Sequence, residues 1–416
     1  MTLENIKLDV DYVRSQFPAF NDPLSKDWSF FENAGGSYVP QTVIDKLNEF
    51  MTSTKVQPYA KYPMSKIAGE SMDKATELFA KMINAKNNEI IIGGSTSINL
   101  YVLSNALKKY INQGDEVIFT NQDHEANISP WLRLKECGAN LIEWKFNLEN
   151  QELELSQLET LITSKTKILA VTHCSNIVGS INNLKKICKL AHQRNIIVIG
   201  DGVSYAPHGF PDVKDIDIDF YTFSLYKTYG PHLALLYGKE EILKDLPNQN
   251  HEFLEGKYPY TINPGGPNHE ELVSLIGIYE YFDNLFNHHF HDKKSSSIRS
   301  KIEKINNLIS IHEEDIANPL LKYLDKRKDL KLIGKNKIKN KDRAPTISFT
   351  SLKKSSKEIS NFLTSNNIAT RNDNFYAWRC LKALGINVDD GVIRISMTHY
   401  NTKKETEMLI NCIERI

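Results

Sequence analysis

The sequence has no excess of either charge. In 416 residues, 51 Lys and Arg balance 51 Asp and Glu, so the chain as a whole offers no electrostatic attraction to nucleic acid or to a membrane surface. Long apolar runs are missing too, and none approaches the roughly 18 uninterrupted residues that a membrane-spanning helix needs. Cysteine is scarce. The five, Cys137, Cys174, Cys188, Cys380 and Cys412, are odd in number and form no CxxC pair, which fits reduced thiols better than a disulfide framework. In the opening MTLENIKLDVDYVRSQF, acidic residues break up the apolar positions, leaving neither the basic nor the apolar region of an export signal. A cytoplasmic protein without nucleic-acid or membrane partners is expected. No GxGxxG, GxSxG or HExxH occurs, which removes the commonest dinucleotide, serine-hydrolase and zinc-hydrolase signals.

What is present is material for a large core. The chain is 41 % hydrophobic and carries 18 Phe, 18 Tyr and 4 Trp, and its length allows two or three domains. From about residue 88 to 240, short apolar runs alternate with segments of helical period: EIIIGG, DEVIFT, NLIEWKF, KILAVTH, NIIVIGD, DFYTFS and LALLYG. This alternation builds βαβ units and a mainly parallel sheet. Several runs are apolar at consecutive positions, as expected where helices cover both faces. After about residue 269, HEELVSLIGIYEYFDNLF reads as a helix and is followed by the Lys- and Ser-rich HDKKSSSIRSKIEKINNLI, where the domain changes. APTISFTSL, SSKEISNFLTSNN, GVIRISMTHY and NTKKETEMLINCIERI then give a small α+β domain. The last helix opens on a capping box, Thr402 with Glu405. The expected division is an N-terminal segment 1–30 joining the small domain, a large α/β domain 31–268, a connecting helix 269–290 and a small domain 291–416. The basic stretch KYLDKRKDLKLIGKNKIKNKDR reads as a solvated face or loop.

In open α/β sheets, ligands bind in the crevice beyond the strands' carboxyl ends. There the sequence places Gly94-Ser95-Thr96-Ser97, Asp123-His124-Glu125, Asn176, Asp201 and Ser224-Leu225-Tyr226-Lys227. Singly, each has an ordinary explanation as a cap, a surface amine or a satisfied core imidazole; their joint occurrence at strand ends is what points to a site. GGSTS running into a helix offers hydroxyls and free N–H groups to a phosphate. An Asp and a Lys ending successive strands suit opposite ends of one flat cofactor. Pyridoxal phosphate is such a cofactor: its aldehyde takes an amine, its ring nitrogen an anion and its phosphate the loop.

These residues resemble a known family. SLYKTYGPHLALLYG and the preceding GDGVSYAPHGFPDVKDIDIDFYTFS are similar to the Schiff-base segment of the class V aminotransferase and cysteine desulfurase group of fold-type I pyridoxal-phosphate enzymes. FFENAGGSYVP, GGSTSINL, NQDHEANISPW, VTHCSNIVGSIN, NPGGPN and VIRISMTHYNT stand in that family's order. The resemblance implies that Lys227 forms the imine and then moves the substrate Cα proton, and that Asp201 pairs with the ring nitrogen. It implies that His124 stacks over the ring, Asn176 bonds the phenolic oxygen, and Ser95, Thr96 and Ser224 hold the phosphate, with Tyr226 beside them. Arg394 would take the substrate carboxylate in a bidentate fork. Arg371 is a second carboxylate candidate, and Asn33 and Tyr376 would line the substrate pocket. A homodimer acting on a small amino acid follows from the same resemblance.

The departures bear on the reaction. Desulfurases carry a nucleophilic Cys where Tyr376 stands here; Cys380 lies in YAWRCLKALG, which reads as a helix, and is a buried residue rather than a mobile thiolate. Tyr226 replaces a His, Ser204 a Gln, and Gly266 a Thr. The expected chemistry is elimination at Cβ with release of sulfur, a C–S lyase activity that needs no enzyme thiol; transamination or epimerisation is the alternative. A Rossmann-type nucleotide enzyme and a non-catalytic scaffold are more distant readings that have no use for Lys227. His288, His289, His291 and Asp292 form a cluster read as a solvated helix end rather than a metal site.

Overall fold

The computed structural model describes residues 6–290 and 297–416. In chain order the strands are β1 (Ser29–Phe30), β2 (Ile90–Gly93), β3 (Glu116–Thr120), β4 (Asn140–Trp144), β5 (Thr166–Thr172), β6 (Ile197–Asp201), β7 (Phe220–Ser224) and β8 (Ala234–Gly238), followed by β9 (Leu330–Ile333), β10 (Thr346–Ser351), β11 (Ile368–Ala369), β12 (Arg371–Asp373) and β13 (Val392–Ser396). All seven apolar runs of the first half are strands of one sheet ordered β2-β8-β7-β6-β5-β3-β4. Strands β4, β3, β5, β6 and β7 are parallel, and only β8 runs against its neighbours.

Consecutive apolar residues are needed because the sheet is covered twice. Leu169 and Val171 of β5 join one hydrophobic cluster and Ile168 and Ala170 the other, as the two-residue period of a strand requires. Each such side chain taken out of water contributes about 1.5–3 kcal/mol. Parallel strands share a direction, so the residues following β3, β5, β6 and β7 arrive at one edge. The helix Thr96–Leu107 starts at the same edge, because β2 and β7 are both antiparallel to β8.

The second sheet is antiparallel, ordered β12-β13-β10-β9, with its own core of Ile316, Leu320, Leu324, Ile347, Phe349, Ile393, Ile395 and Leu409. The short parallel pair β1–β11 ties residues 29–30 to 368–369. The closing helix, Lys403–Ile413, has the expected capping box: Glu405 N donates to Thr402 Oγ1 at 3.1 Å and Thr402 N to Glu405 Oε2 at 2.7 Å.

Two expectations need correction. The basic stretch is not a solvated loop throughout: Leu330–Ile333 is a strand, and Ile338 and Arg343 are buried. The Lys- and Ser-rich segment passes into a 29-residue helix, Ile298–Lys326. Its buried Ile302, Ile305, Ile309, Ile316, Leu320 and Leu324 recur at helical spacing, a period masked by the many lysines around them. Of the histidine cluster, His291 and Asp292 lie outside the described residues. His288 Nε2 meets Asp9 Oδ2 at 2.9 Å and stacks on Tyr12, while Asp9 N donates to His289 Nε2 at 2.8 Å; the pair docks the first helix. Among the described residues, no group of three His, Cys, Asp or Glu is placed to hold a metal.

Helix Ile276–His289 crosses helix Gln41–Glu49 at Gly277, where an added Cβ would lie 2.5 Å from backbone atoms of Thr42 and Val43. Gly277→Ala is expected to lower unfolding free energy by about 1–3 kcal/mol, read as a lower urea midpoint at unchanged slope.

Candidate active site

A cavity of about 290 Å³ opens at the carboxyl edge of the large sheet, and Ser95, Thr96, His124, Asn176, Asp201, Ser224, Tyr226 and Lys227 all line it. The fold thus brings together every cofactor-contacting residue expected from the sequence.

Lys227 ends a tight turn, Leu225–Lys227, that leaves the fully buried β7. The turn is fastened: Thr228 Oγ1 donates to Ser224 O at 3.1 Å, Gly230 N to Leu225 O at 2.9 Å, and the Tyr229 hydroxyl to Pro207 O at 2.6 Å. Lys227 is 8 % exposed, and among the described residues no carboxylate lies within 4 Å of its amine. Burial, then the Arg394 charge, push its ammonium down to about 8, against the weaker pull of Asp201 and Glu32. An amine of this kind is partly neutral, hence nucleophilic, near physiological pH.

Asp201 is the last residue of β6, beside β7. Its Oδ1 accepts from Val203 N at 2.8 Å, and burial raises its pKa above the usual carboxylate range. Asp123 is buried nearby, its pKa raised by burial first and by the Asp201 charge second. The hydroxyls of Thr96 and Ser224 meet at 2.8 Å, at the N-terminus of the twelve-residue helix Thr96–Leu107, which Ser95 caps by accepting from Ile98 N at 3.2 Å. His124 Nδ1 accepts from Ala126 N at 3.0 Å, which puts the ring proton on Nε2. Burial, then Lys227 and Arg394, hold its pKa down at about 3, so the imidazole is neutral. Asn176 Nδ2 donates to Phe375 O at 2.9 Å, and its Oδ1 is buried without a partner, an orphan of the kind a ligand satisfies.

The substrate-side residues divide. Arg394 of β13 is 3 % exposed, with its guanidinium 3.6 Å from the Phe375 ring centre and its Nε unpartnered. Among the described residues it has no carboxylate within 4 Å. It is a buried cation left free for an anion. Its cross-strand neighbour is Arg371, and neither lines the 290 Å³ cavity; Arg371 is paired with Asp373 at 2.7 Å. The Asn33 amide is already committed: Nδ2 donates to Ser396 O at 2.8 Å and Oδ1 accepts from the Tyr400 hydroxyl. It holds the end of β13 and has little left for a substrate. Tyr376 is 67 % exposed and stacks on His124 at 5.3 Å. Phe375 and Tyr376 both take left-handed backbone, φ 51° and 56°, a conformation that costs about 1–2 kcal/mol per bulky residue. The turn is held by Glu125 N donating to Tyr376 O at 2.8 Å and by the Arg379–Glu125 ion pair at 2.8 Å.

Cys380 sits buried in helix Trp378–Ala383, its thiol pushed up to about 12 by burial. Sequence reasoning missed Phe375, which floors Arg394, and Glu32, whose charge reaches both Lys227 and Arg394. Neither carries a local signal, although Glu32 adjoins the FFENAGG motif. Cys174, Thr172, Val203 and His232 also face the cavity.

A lysine amine and a carboxylate at adjacent strand ends, a hydroxyl-lined helix N-terminus and a free guanidinium together define the site of a pyridoxal-phosphate-dependent enzyme. The aminotransferase class-V family model matches residues 29–409, and the chain belongs to that family. It is 35 % identical, over the full length of both chains, to the aminotransferase-like protein FGM3 of Gibberella zeae. It is 29 % identical to a cysteine desulfurase of Escherichia coli O6:K15:H31, over 98 % of each chain. The solved cysteine desulfurase of Thermococcus onnurineus NA1 shares the fold, with a TM-score of 0.84 over 99 % of this chain and 98 % of that one at 24 % identity.

The residues fit the family's cofactor: the free amine, the buried carboxylate, the hydroxyl pair and the orphaned Asn176 Oδ1 are complementary to its aldehyde, ring nitrogen, phosphate and phenol. In the cofactor-free protein the buried ammonium destabilises the fold below pH 8. Unfolding restores an ordinary lysine near 10.5, so the penalty is fully present below 8 and fades between 8 and 10.5 as both states lose the proton. Lys227→Met is therefore expected to unfold at higher temperature than the parent chain at pH 7, by roughly 3 kcal/mol, with the gain shrinking towards pH 10.5 in a thermal scan series.

Proposed function

We propose that this chain is a cytoplasmic homodimer that holds pyridoxal phosphate through Lys227 and eliminates a sulfur group from Cβ of a small amino acid. The observation that supports elimination over persulfide transfer is the mouth of the cavity. Tyr376 stands where the resembled desulfurases carry their thiol, and Cys380 is buried with its thiol held near 12. Part of the same reading is a division of labour in which residues 31–268 carry the cofactor side and 291–416 the carboxylate grip, joined by 269–290.

When bound, the cofactor supplies an electron sink for charge that develops at Cα. Asp201 keeps that sink effective by setting a negative charge against the ring nitrogen. Thr96, Ser224, Ser95 and the helix N-terminus hold the phosphate, and Tyr226 packs beside them. Arg394 takes the substrate carboxylate and so orients the Cα–H bond towards Lys227. The Lys227 amine, neutral for a useful fraction of molecules near pH 8, accepts the Cα proton at Nζ and can return it to the leaving sulfur. His124 is neutral and offers Nε2–H as a donor and its ring as a flat cover.

Transamination is the second reading, favoured by the full-length similarity to a protein named aminotransferase-like. The products separate the two. With L-cysteine, elimination consumes one water and gives sulfide, ammonia and pyruvate in equal amounts, without an amino acceptor; Lys227→Ala is expected to give none. Alanine as the carbon product would instead mean persulfide transfer, and a keto acid that appears only with an added acceptor would mean transamination. Either result contradicts the proposal.

A further inference from the structure

A second arginine, outside the cavity, is buried more completely than a surface cation should be. Arg343 is 2 % exposed and belongs to the segment linking β9 to β10. Among the described residues no carboxylate stands within 4 Å of it. The acids whose charges reach it are Glu152 and Asp342, and both are paired with Lys335, at 3.2 and 3.3 Å. Its guanidinium is satisfied by main chain instead: Nη1 donates to Val178 O at 2.7 Å, and Nη2 donates to Ile333 O at 3.3 Å and Thr346 O at 3.2 Å. Among the described residues its Nε has no partner. Burying an unpaired cation is expensive, so three carbonyls from three segments must be held firmly around it.

Those carbonyls lie on two sides of the molecule. Val178 belongs to the loop after β5 that carries Asn176, whereas Ile333 and Thr346 end β9 and begin β10 of the small sheet. Main-chain bonds run alongside: Ile181 N donates to Asp342 O at 3.1 Å and Ala344 N to Gly179 O at 2.8 Å. The approach is so close that glycine is required on both sides. A Cβ on Gly179 (φ +77°) would lie 2.5 Å from Thr346 O, and one on Gly334 (φ +79°) would lie 2.3 Å from both Arg343 Nη1 and Val178 O.

One side leads to Asn176 and the other to Arg394. From Val178 the loop runs to Asn176, whose side chain fixes Phe375 O and whose carbonyl sits 3.5 Å from Arg394 Nη1. From Thr346, β10 pairs with β13 in a register that sets Ser348 opposite Arg394. We propose that Arg343 is a positioning residue, whose carbonyl-held guanidinium fixes the spacing between Asn176 and Arg394 and thereby the grip on the substrate carboxylate. This rests on the reading of Arg394 as the carboxylate-binding group. Lysine cannot replace Arg343, because a single ammonium does not span three carbonyls in the plane of a guanidinium.

The test compares Arg343→Lys with the parent holoenzyme, using L-alanine and ethylamine, which has the same methyl and amine but no carboxylate, as probes in visible-absorbance titrations. Arg343→Lys is expected to weaken L-alanine binding about tenfold or more while ethylamine binding stays within about twofold, and to raise KM for L-cysteine with little change in kcat. In the cofactor-free protein, amide exchange at 176–181 should accelerate. Gly334→Ala crowds the same contact while leaving the charge unchanged and is expected to lose the same discrimination; it decides alone if Arg343→Lys does not fold. If the parent enzyme already binds both probes alike, the reading of Arg394 fails and takes this proposal with it. If the parent discriminates and both folded variants still do, the reading of Arg394 stands and the role of Arg343 is overturned.

Discussion

The fold keeps one amine out of water. Lys227 stands on the turn that leaves a strand whose five residues are all buried, and the surrounding sheet is apolar on both faces, so the ammonium is desolvated with no carboxylate in contact among the described residues to offset the cost. Arg394 is buried likewise, with no carboxylate within 4 Å among the described residues, and Asp201 is the buried acid whose charge reaches Lys227. Lys227 and Asp201 line one cavity, Asp123 is buried beside Asp201, and Arg394 lies against Phe375; buried charges of this kind are held in reserve for a ligand that brings the complements. Binding such a ligand removes the penalty, and that released free energy adds to affinity through ordinary linkage.

Much of this was legible in the amino-acid order because it depends on local patterns. The strands declare themselves by apolar runs that serve both sheet faces, and Asp201 and Lys227 by standing at the ends of two of them. Direction and order in a parallel sheet do the rest. The residues that were not legible are those positioned by segments far apart in the chain. Phe375 matters because it lies under Arg394, Asn33 because Ser396 and Tyr400 consume its amide, and Arg343 because three distant carbonyls converge on it. The helix Ile298–Lys326 was hidden because it starts inside a Lys- and Ser-rich stretch, and its buried stripe shows only when counted separately.

The left-handed pair Phe375–Tyr376 shapes the turn beside Arg394 and His124. Strained backbone persists only where its surroundings hold it, and here Glu125, Arg379 and Asn374 do so. The strain places Phe375 against the guanidinium and Tyr376 against His124. Of the thiols nearby, Cys174 lines the cavity and Cys380 is buried in a helix, each pushed up to about 12 by burial.

The central claim is that the Lys227 amine is the covalent partner of the cofactor. The most direct measurement is borohydride reduction of the loaded protein, followed by proteolysis and mass spectrometry of the peptides. The account requires the reduced pyridoxyl mass on the peptide containing Lys227 and on no other. Label on a different lysine, or a protein that takes up the cofactor without any peptide becoming labelled, contradicts it.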